Sequence, residues 1–123
     1  MTVSRWPQNA VVALPEPDVA RAQRWCADRV PAHARDQVLV ECEVAARHLT
    51  IMECRPPWMA GHGDEWTRHP VARLSYVQAR CEWTLLWRDR NLHWHVYGEL
   101  APGPSVDPLL EEIGSGRNPV FWG

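Results

Sequence analysis

The sequence contains no lysine, no close pair of cysteines and no long hydrophobic run. Its longest apolar run, from Ala10 to Leu14, ends at Pro15 after five residues, whereas a membrane-spanning helix needs roughly 20. No basic segment precedes this run, so we expect neither a signal peptide nor a membrane protein. The four separated cysteines give no sign of the disulfide framework that small secreted chains use when they lack a core. We therefore expect a protein of the reducing cytoplasm.

The composition is typical of one globular domain. The chain has 123 residues, 46% of them hydrophobic and 23% charged, and it can bury roughly two-thirds of its unfolded surface, so residues 1–123 form a single predicted domain. The net charge of −2 argues against binding duplex nucleic acid by overall charge. All 13 basic residues are arginine, which fits either the use of guanidinium chemistry or the nucleotide bias of a GC-rich genome.

The first regular element predicted is an amphipathic helix over residues 16–30, which follows an irregular N-terminal arm over residues 1–15. The segment Pro15-Glu-Pro-Asp18 provides the proline and the acidic residues that are typical of a first helical turn. Apolar residues then follow at steps of three or four, namely Val19, Ala22, Cys26 and Val30. Pro31 ends the predicted helix.

From residue 38 the apolar period changes to two, which predicts antiparallel strands up to residue 97. The five predicted strands cover residues 38–44, 47–55, 71–77, 82–88 and 92–97. A turn at Ala45-Ala46, or a four-residue loop of the same parity, places Cys42 and Ile51 on one face and Cys54 on the other. In the next hairpin a loop over residues 78–81 sets Tyr76 opposite Trp83.

The last predicted hairpin decides where several tryptophans lie. A two-residue turn at Asp89-Arg90 sets Trp87 opposite Leu92, and Leu85 opposite Trp94. One face of the sheet is then aromatic and aliphatic. The indoles predicted to lie in this core are those of Trp83, Trp87 and Trp94. The polar residues predicted to share the opposite face are Arg88, Asn91, His93, His95 and Tyr97.

These elements predict an α+β fold. A five-stranded, mostly antiparallel meander carries the N-terminal helix on its aromatic face, since a sheet with one apolar side needs a cover. A short helix follows over residues 107–114, closed by Gly114, and residues 115–123 form an apolar tail that docks on the domain. The loop over residues 56–70 is long for a compact domain, and such loops are often functional.

Several short motifs of this sequence occur in the same order as in a known family. They are Glu53-Cys-Arg55-Pro56-Pro57-Trp58, Glu65-Trp66-Thr67, Ala72-Arg73-Leu74-Ser75-Tyr76, the run from Trp83 to His95, and Phe121-Trp122-Gly123. On these residues the chain resembles a bacterial domain-of-unknown-function family, number 3024, of small single-domain proteins. The resemblance covers most of residues 38–123 and implies no activity or catalytic residue. The turn at Ala45-Ala46 stands where the family pattern suggests a glycine.

Enzymatic chemistry has few candidates in this sequence. His93 and His95 lie two residues apart on one strand, as a metal-binding pair would, and a loop histidine could complete a zinc site for a metal-dependent hydrolase. No nucleophile elbow, glycine-rich phosphate loop or paired acid motif is present. Glu53 has Arg47 and Arg55 nearby, which indicates a structural salt bridge. No cofactor is indicated, and the residues favour a non-enzymatic protein.

Two binding functions remain open. Arginines near tryptophans could offer phosphate contacts and stacking platforms to single-stranded nucleic acid. The interpretation we favour is a non-enzymatic module that binds an unknown protein or small ligand near the long loop and the turn at residues 88–91, because Trp and Arg concentrate binding energy. The edge strand over residues 38–44 could also pair with a second copy. The candidate binding residues are Arg55, Trp58, Trp66, Arg73, Arg88, Asp89, His93, His95 and Tyr97.

Overall fold

The computed structural model describes residues 14–57 and 66–122. Its elements are α1 (Glu16–Arg29), a 3₁₀ turn (Ala32–Ala34), β1 (Leu39–Val44), β2 (His48–Arg55), β3 (Thr67–Val77), β4 (Glu82–Arg88), β5 (Trp94–Val96) and α2 (Asp107–Ser115). The five strands form one antiparallel sheet in the order β1-β2-β3-β4-β5, so the predicted α+β meander is confirmed. The predicted N-terminal arm, apart from its last two residues, and residues 58–65 of the predicted loop lie outside the described ranges.

Helix α1 forms where its periodicity predicts it. It begins directly after Pro15, carries acidic residues in its first turn and ends at Arg29, where Val30 takes an extended conformation ahead of Pro31. Ala22 and Cys26 are buried along one stripe of the helix, and α1 packs against β1. The helix therefore shields one face of the sheet near its first edge.

The sheet has two unlike faces. The covered face lies against both helices, and its fully buried side chains include Leu49, Ile51, Leu74, Trp83 and Leu85. These residues form one cluster with Ala22 and Cys26 of α1 and with Leu109 and Ile113 of α2. The residues that alternate with them make up the open face. Among these are His48, Thr50, Arg73, Leu86 and Trp94.

The first two hairpins have the predicted faces. Tyr76 lies opposite Trp83, as the four-residue loop predicts. Cys42 lies opposite Ile51, whereas Cys54 pairs with Leu39 and points to the other face. In this register Val44 pairs with Leu49, so the loop of the first hairpin has four residues, which is the second of the two predicted turn lengths.

The last hairpin corrects the predicted register. Trp87 pairs with His95, and Arg88 pairs with Trp94, so the predicted pairings of Trp87 with Leu92 and of Leu85 with Trp94 are wrong. Trp94 lies half-buried on the open face instead of in the core. Tyr97, which the sequence placed on the polar face, joins the covered face and is 3% exposed.

The cause of this shift is the length of the turn. The Asp89 N–H donates to the His93 carbonyl over 2.9 Å, and the Leu92 N–H donates to the Asp89 carbonyl over 2.9 Å. Arg90, Asn91 and Leu92 therefore form a three-residue turn in place of the predicted two-residue one. Because successive side chains alternate between faces, one additional turn residue moves every side chain of β5 to the opposite face.

Strand β3 begins earlier than predicted. It starts at Thr67, which shortens the predicted 56–70 loop, and it carries Pro70 opposite Met52 beside a bulge between Ile51 and Met52. Proline is normally excluded from the interior of a sheet because it has no backbone N–H to donate to a neighbouring strand. Here β4 pairs with β3 only from Arg73 onward, so Pro70 has no ladder partner on that side.

Helix α2 ends at Ser115 and is capped by Gly116, a left-handed residue with φ 73°, so it is not closed by Gly114 as predicted. Gly114 lies inside the helix, where an added Cβ would stand 3.1 Å from the ring of Trp25 on α1. That glycine therefore serves the close approach of the two helices. Beyond α2, Phe121 is 5% exposed, and the indole N–H of Trp122 donates to the Ile113 carbonyl over 2.7 Å.

Replacing Leu92 with asparagine is expected to stabilise the domain by roughly 0.5–1 kcal/mol, because Leu92 has a left-handed φ of 71° that asparagine adopts at lower cost. The side chain of Leu92 is 62% exposed, so little packing is lost. Urea denaturation measures the change. Arg90→Asn in the same turn is the control, since Arg90 lacks a positive φ, and a gain there of equal size would contradict the explanation.

Candidate functional site

Arg73 lies in the middle of the open face. Its guanidinium carbon stands 4.4 Å from the ring centroid of Trp94, and its Nε donates to the Thr50 hydroxyl over 3.2 Å. Burial lowers the pKa of Arg73; Glu43 opposes this shift and nearby Arg88 adds to it. This arginine is therefore held rigidly, partly desolvated and next to a second positive charge.

Arg88 extends this positive surface toward the turn. It pairs with Trp94 across the last hairpin, so both side chains lie on the open face. Arg88 and Arg90 also line a surface cavity of about 580 Å³, together with Trp87, Asp89, Pro119 and Val120. We call Arg73, Arg88 and Arg90 the arginine cluster.

The arginine cluster differs from five other described arginines in its lack of an ion pair. Among the residues that the structure describes, none of its three members has a carboxylate within ion-pair distance. The arginines that do are Arg21, Arg55, Arg68, Arg80 and Arg117. Like charges brought together without an ion-paired carboxylate favour the approach of an anion.

Asp89 organises the end of the hairpin. One carboxylate oxygen accepts hydrogen bonds from the backbone N–H groups of Asn91 (2.8 Å) and His93 (2.9 Å). The other oxygen lies 2.6 Å from Nε2 of His95. The backbone bond from His93, followed by the bond from His95, lowers the pKa of Asp89 to about 2. The carboxylate is thus ionised at neutral pH and fixed in place.

His95 is oriented by two contacts. Besides its bond to Asp89, its ring stacks on Trp87 with 4.8 Å between centroids and 28° between planes. The side chain is nevertheless 46% exposed. An imidazole held at one nitrogen and stacked on one face presents its other nitrogen in a defined direction.

The structure divides the predicted site residues into two groups. Arg73 and Arg88 lie on the open face with Trp94, although the sequence placed Trp94 in the core. Asp89 contacts His95, whose ring stacks on Trp87 and which lies, with Trp87, on the covered side of the sheet and not on the predicted polar face. Asp89 marks a turn in the sequence, since aspartate side chains accept hydrogen bonds from backbone two residues on, but this signal does not fix the turn length on which the position of Trp94 depends. His93 contributes its backbone N–H to Asp89, and its side chain is exposed.

The other predicted site residues lie elsewhere. Arg55 is at the far end of β2, 3.4 Å from Glu53, which confirms the predicted salt bridge. Trp66 lines a separate cavity of about 200 Å³ beside Cys54. Trp58 is outside the described residues. Tyr97 is not part of any exposed site, because it is buried and its hydroxyl donates to Glu112 over 2.7 Å.

Within residues 14–57 and 66–122, no group of three or more His, Cys, Asp or Glu side chains is placed to hold a metal ion. The predicted pair His93 and His95 therefore has no third ligand in that part of the chain. Neither described helix is long and apolar enough to cross a membrane.

The fold and the site define a class of molecule: an α+β domain with a five-stranded meander, covered by helices on one face and carrying arginine and tryptophan on the other. The family described as a domain of unknown function (DUF3024) matches residues 11–123, and the chain belongs to it, as the sequence resemblance implies. Nothing among the curated proteins or the solved structures matches the chain.

Proposed function

We propose that this domain is a non-enzymatic binding module for an anionic ligand, either a small molecule or an acidic segment of a partner protein. The observation that carries the proposal is the arginine cluster, in which Arg73, Arg88 and Arg90 gather without a carboxylate partner in the described part of the chain. An anion would relieve their mutual repulsion.

The geometry also suggests what such a ligand would contact. A guanidinium group offers parallel N–H donors that match a carboxylate or phosphate. Arg73 is already ordered by Thr50 and Trp94, so binding to it costs little side-chain entropy. The indole of Trp94 is half-buried beside it and would supply apolar contact area next to the charges.

The test is an NMR titration that follows the indole N–H signals, with the Trp94 signal assigned from its loss in Trp94→Phe. The probes are inorganic phosphate, adenosine monophosphate and a hexaglutamate peptide. At least one of them is expected to shift the Trp94 signal. Arg73→Gln with Arg88→Gln should weaken that probe about tenfold or more, because charge-assisted hydrogen bonds are lost.

The matched control is Arg24→Gln with Arg47→Gln. This variant makes the same change in net charge at two arginines that also lack an ion-pair partner among the described residues and lie outside the cluster. It should bind like the parent chain. Equal weakening in both double variants would mean that overall charge alone attracts the probe, and the absence of any shift would reject the proposal.

A second candidate, single-stranded nucleic acid binding, is favoured by one observation. Trp94 lies on the open face beside Arg73, where an aromatic ring can stack on a base. A mixed-sequence single-stranded oligonucleotide, added as a further probe in the same titration, should then bind more tightly than adenosine monophosphate and weaken steeply with salt. Binding no tighter than that of the monophosphate would eliminate this candidate.

A further inference from the structure

The pair formed by Asp89 and His95 has a chemical consequence that anion binding does not require. An ionised carboxylate can only accept a hydrogen bond, so the hydrogen in the 2.6 Å contact belongs to Nε2 of His95. When the ring is neutral, Nδ1 therefore carries no hydrogen and holds a free lone pair. The carboxylate thus selects one tautomer of the imidazole.

This arrangement is specific to His95. Of the five histidines that the structure describes, it alone lies within ion-pair distance of a carboxylate. It is also accessible, with 46% of its side chain exposed, and stacking on Trp87 limits rotation of the ring. A nucleophile oriented by a hydrogen-bonded partner group is the general pattern of covalent catalysis by side chains.

We propose that Nδ1 of His95 accepts a phosphoryl group from an acyl phosphate. The Nδ1 lone pair forms the new N–P bond while the P–O bond to the acyl group breaks, and the leaving carboxylate takes that electron pair. No proton has to leave Nδ1. The product is a phosphorylated imidazolium whose hydrogen remains on Nε2, and the carboxylate of Asp89 stabilises its positive charge.

The surrounding charges favour a phosphoryl group over a neutral acyl group. Arg88 and Arg90 flank Asp89 in the chain and line the adjoining cavity with Trp87, but the side chain of Arg88 lies on the face of the sheet opposite to His95. Neither has an acidic partner within the described ranges. The guanidinium group of Arg90, at the edge of this cavity, can bind the oxygens of the transferring phosphoryl group, which is the main form of stabilisation in phosphoryl transfer.

The experiment exposes the full chain to acetyl phosphate and follows its intact mass and its ³¹P NMR spectrum. We expect one phosphoryl group per chain with the acid lability of a phosphorylated histidine. His95→Gln should abolish this label, whereas the matched variant His93→Gln, two residues away and with no carboxylate contact to its side chain, should keep it. No label, or equal labelling of both variants, would overturn the proposal.

Asp89→Asn tests the role of Asp89 as a positioning residue. Its amide oxygen can still accept the backbone bonds of the turn, but the carboxylate charge is lost, so labelling should slow about tenfold. An unchanged rate in Asp89→Asn would contradict the assigned tautomer. Phosphate binding by the arginine cluster is measured in a separate experiment, the NMR titration. The proposed anion binding and the proposed phosphorylation of His95 can therefore be contradicted independently of each other.

Discussion

Replacing Trp83 with alanine is expected to lower the free energy of unfolding by roughly 3–5 kcal/mol. Trp83 is the largest fully buried side chain among the described residues, with 0% exposure. Its ring packs against Tyr76 at 4.9 Å between centroids. Truncation removes this buried area and leaves a cavity that the sheet and helices cannot fill without moving. Chemical denaturation followed by circular dichroism measures the loss.

Trp94→Ala is the matched control for this prediction. Trp94 lies on the open face, where its main contact is the guanidinium group of Arg73 at 4.4 Å. Its removal should cost only about 1 kcal/mol, the size of a partly exposed cation–π contact. Equal destabilisation by the two substitutions would show that both indoles lie in the core, and it would contradict the register of the last hairpin.

Asp18→Ala is expected to destabilise the domain by about 2–3 kcal/mol, a large effect for a residue on the first turn of a helix. The carboxylate of Asp18 accepts hydrogen bonds from the indole N–H of Trp83 (3.3 Å) and from the backbone N–H of Val106 (3.3 Å). Both donors belong to residues with 0% exposure. Without Asp18 they remain buried and unsatisfied, and Val106 is the N-cap of α2.

Glu16→Ala controls for the general effect of an acid at the helix start. Glu16 is exposed in the same first turn of α1 and interacts with the helix dipole, which is worth roughly 0.5 kcal/mol. Denaturation curves of the two variants should therefore differ clearly in midpoint at equal slope. A loss in Glu16→Ala as large as that in Asp18→Ala would mean that the dipole is the dominant contribution and not the two buried donors.

The sequence predicted local structure well because its signals are local. The apolar steps from Val19 to Val30 predict α1, and the alternation around Tyr76 and Trp83 predicts their pairing. In the first hairpin the predicted faces are confirmed because both weighed turn lengths have the same parity. In each case the apolar residues recur with a period of 3.6 or of two residues, and one short segment of the sequence is enough to show that period.

The candidate site was only partly predictable for the same reason. Arg88 and Asp89 border a turn, and their place at the end of the sheet follows from the sequence. The position of Trp94 depends on how many residues the turn contains, and Leu92 gives no warning of its left-handed conformation because leucine rarely adopts it. Tyr97 was wrongly expected at the surface, since its burial depends on Glu112 and Phe121, which follow later in the chain.

By itself, the amino-acid order determined the kinds of element, their succession and the helical covering of the sheet, since periodicity and capping residues act between close neighbours. Only the tertiary structure decided which face carries Trp94, that Arg73 and Arg88 come together on that face, and that Asp89 contacts His95. The physical reason is that the parity of a hairpin is set jointly by the side-chain bonds of Asp89 within the turn and by the burial of Tyr97 against distant residues.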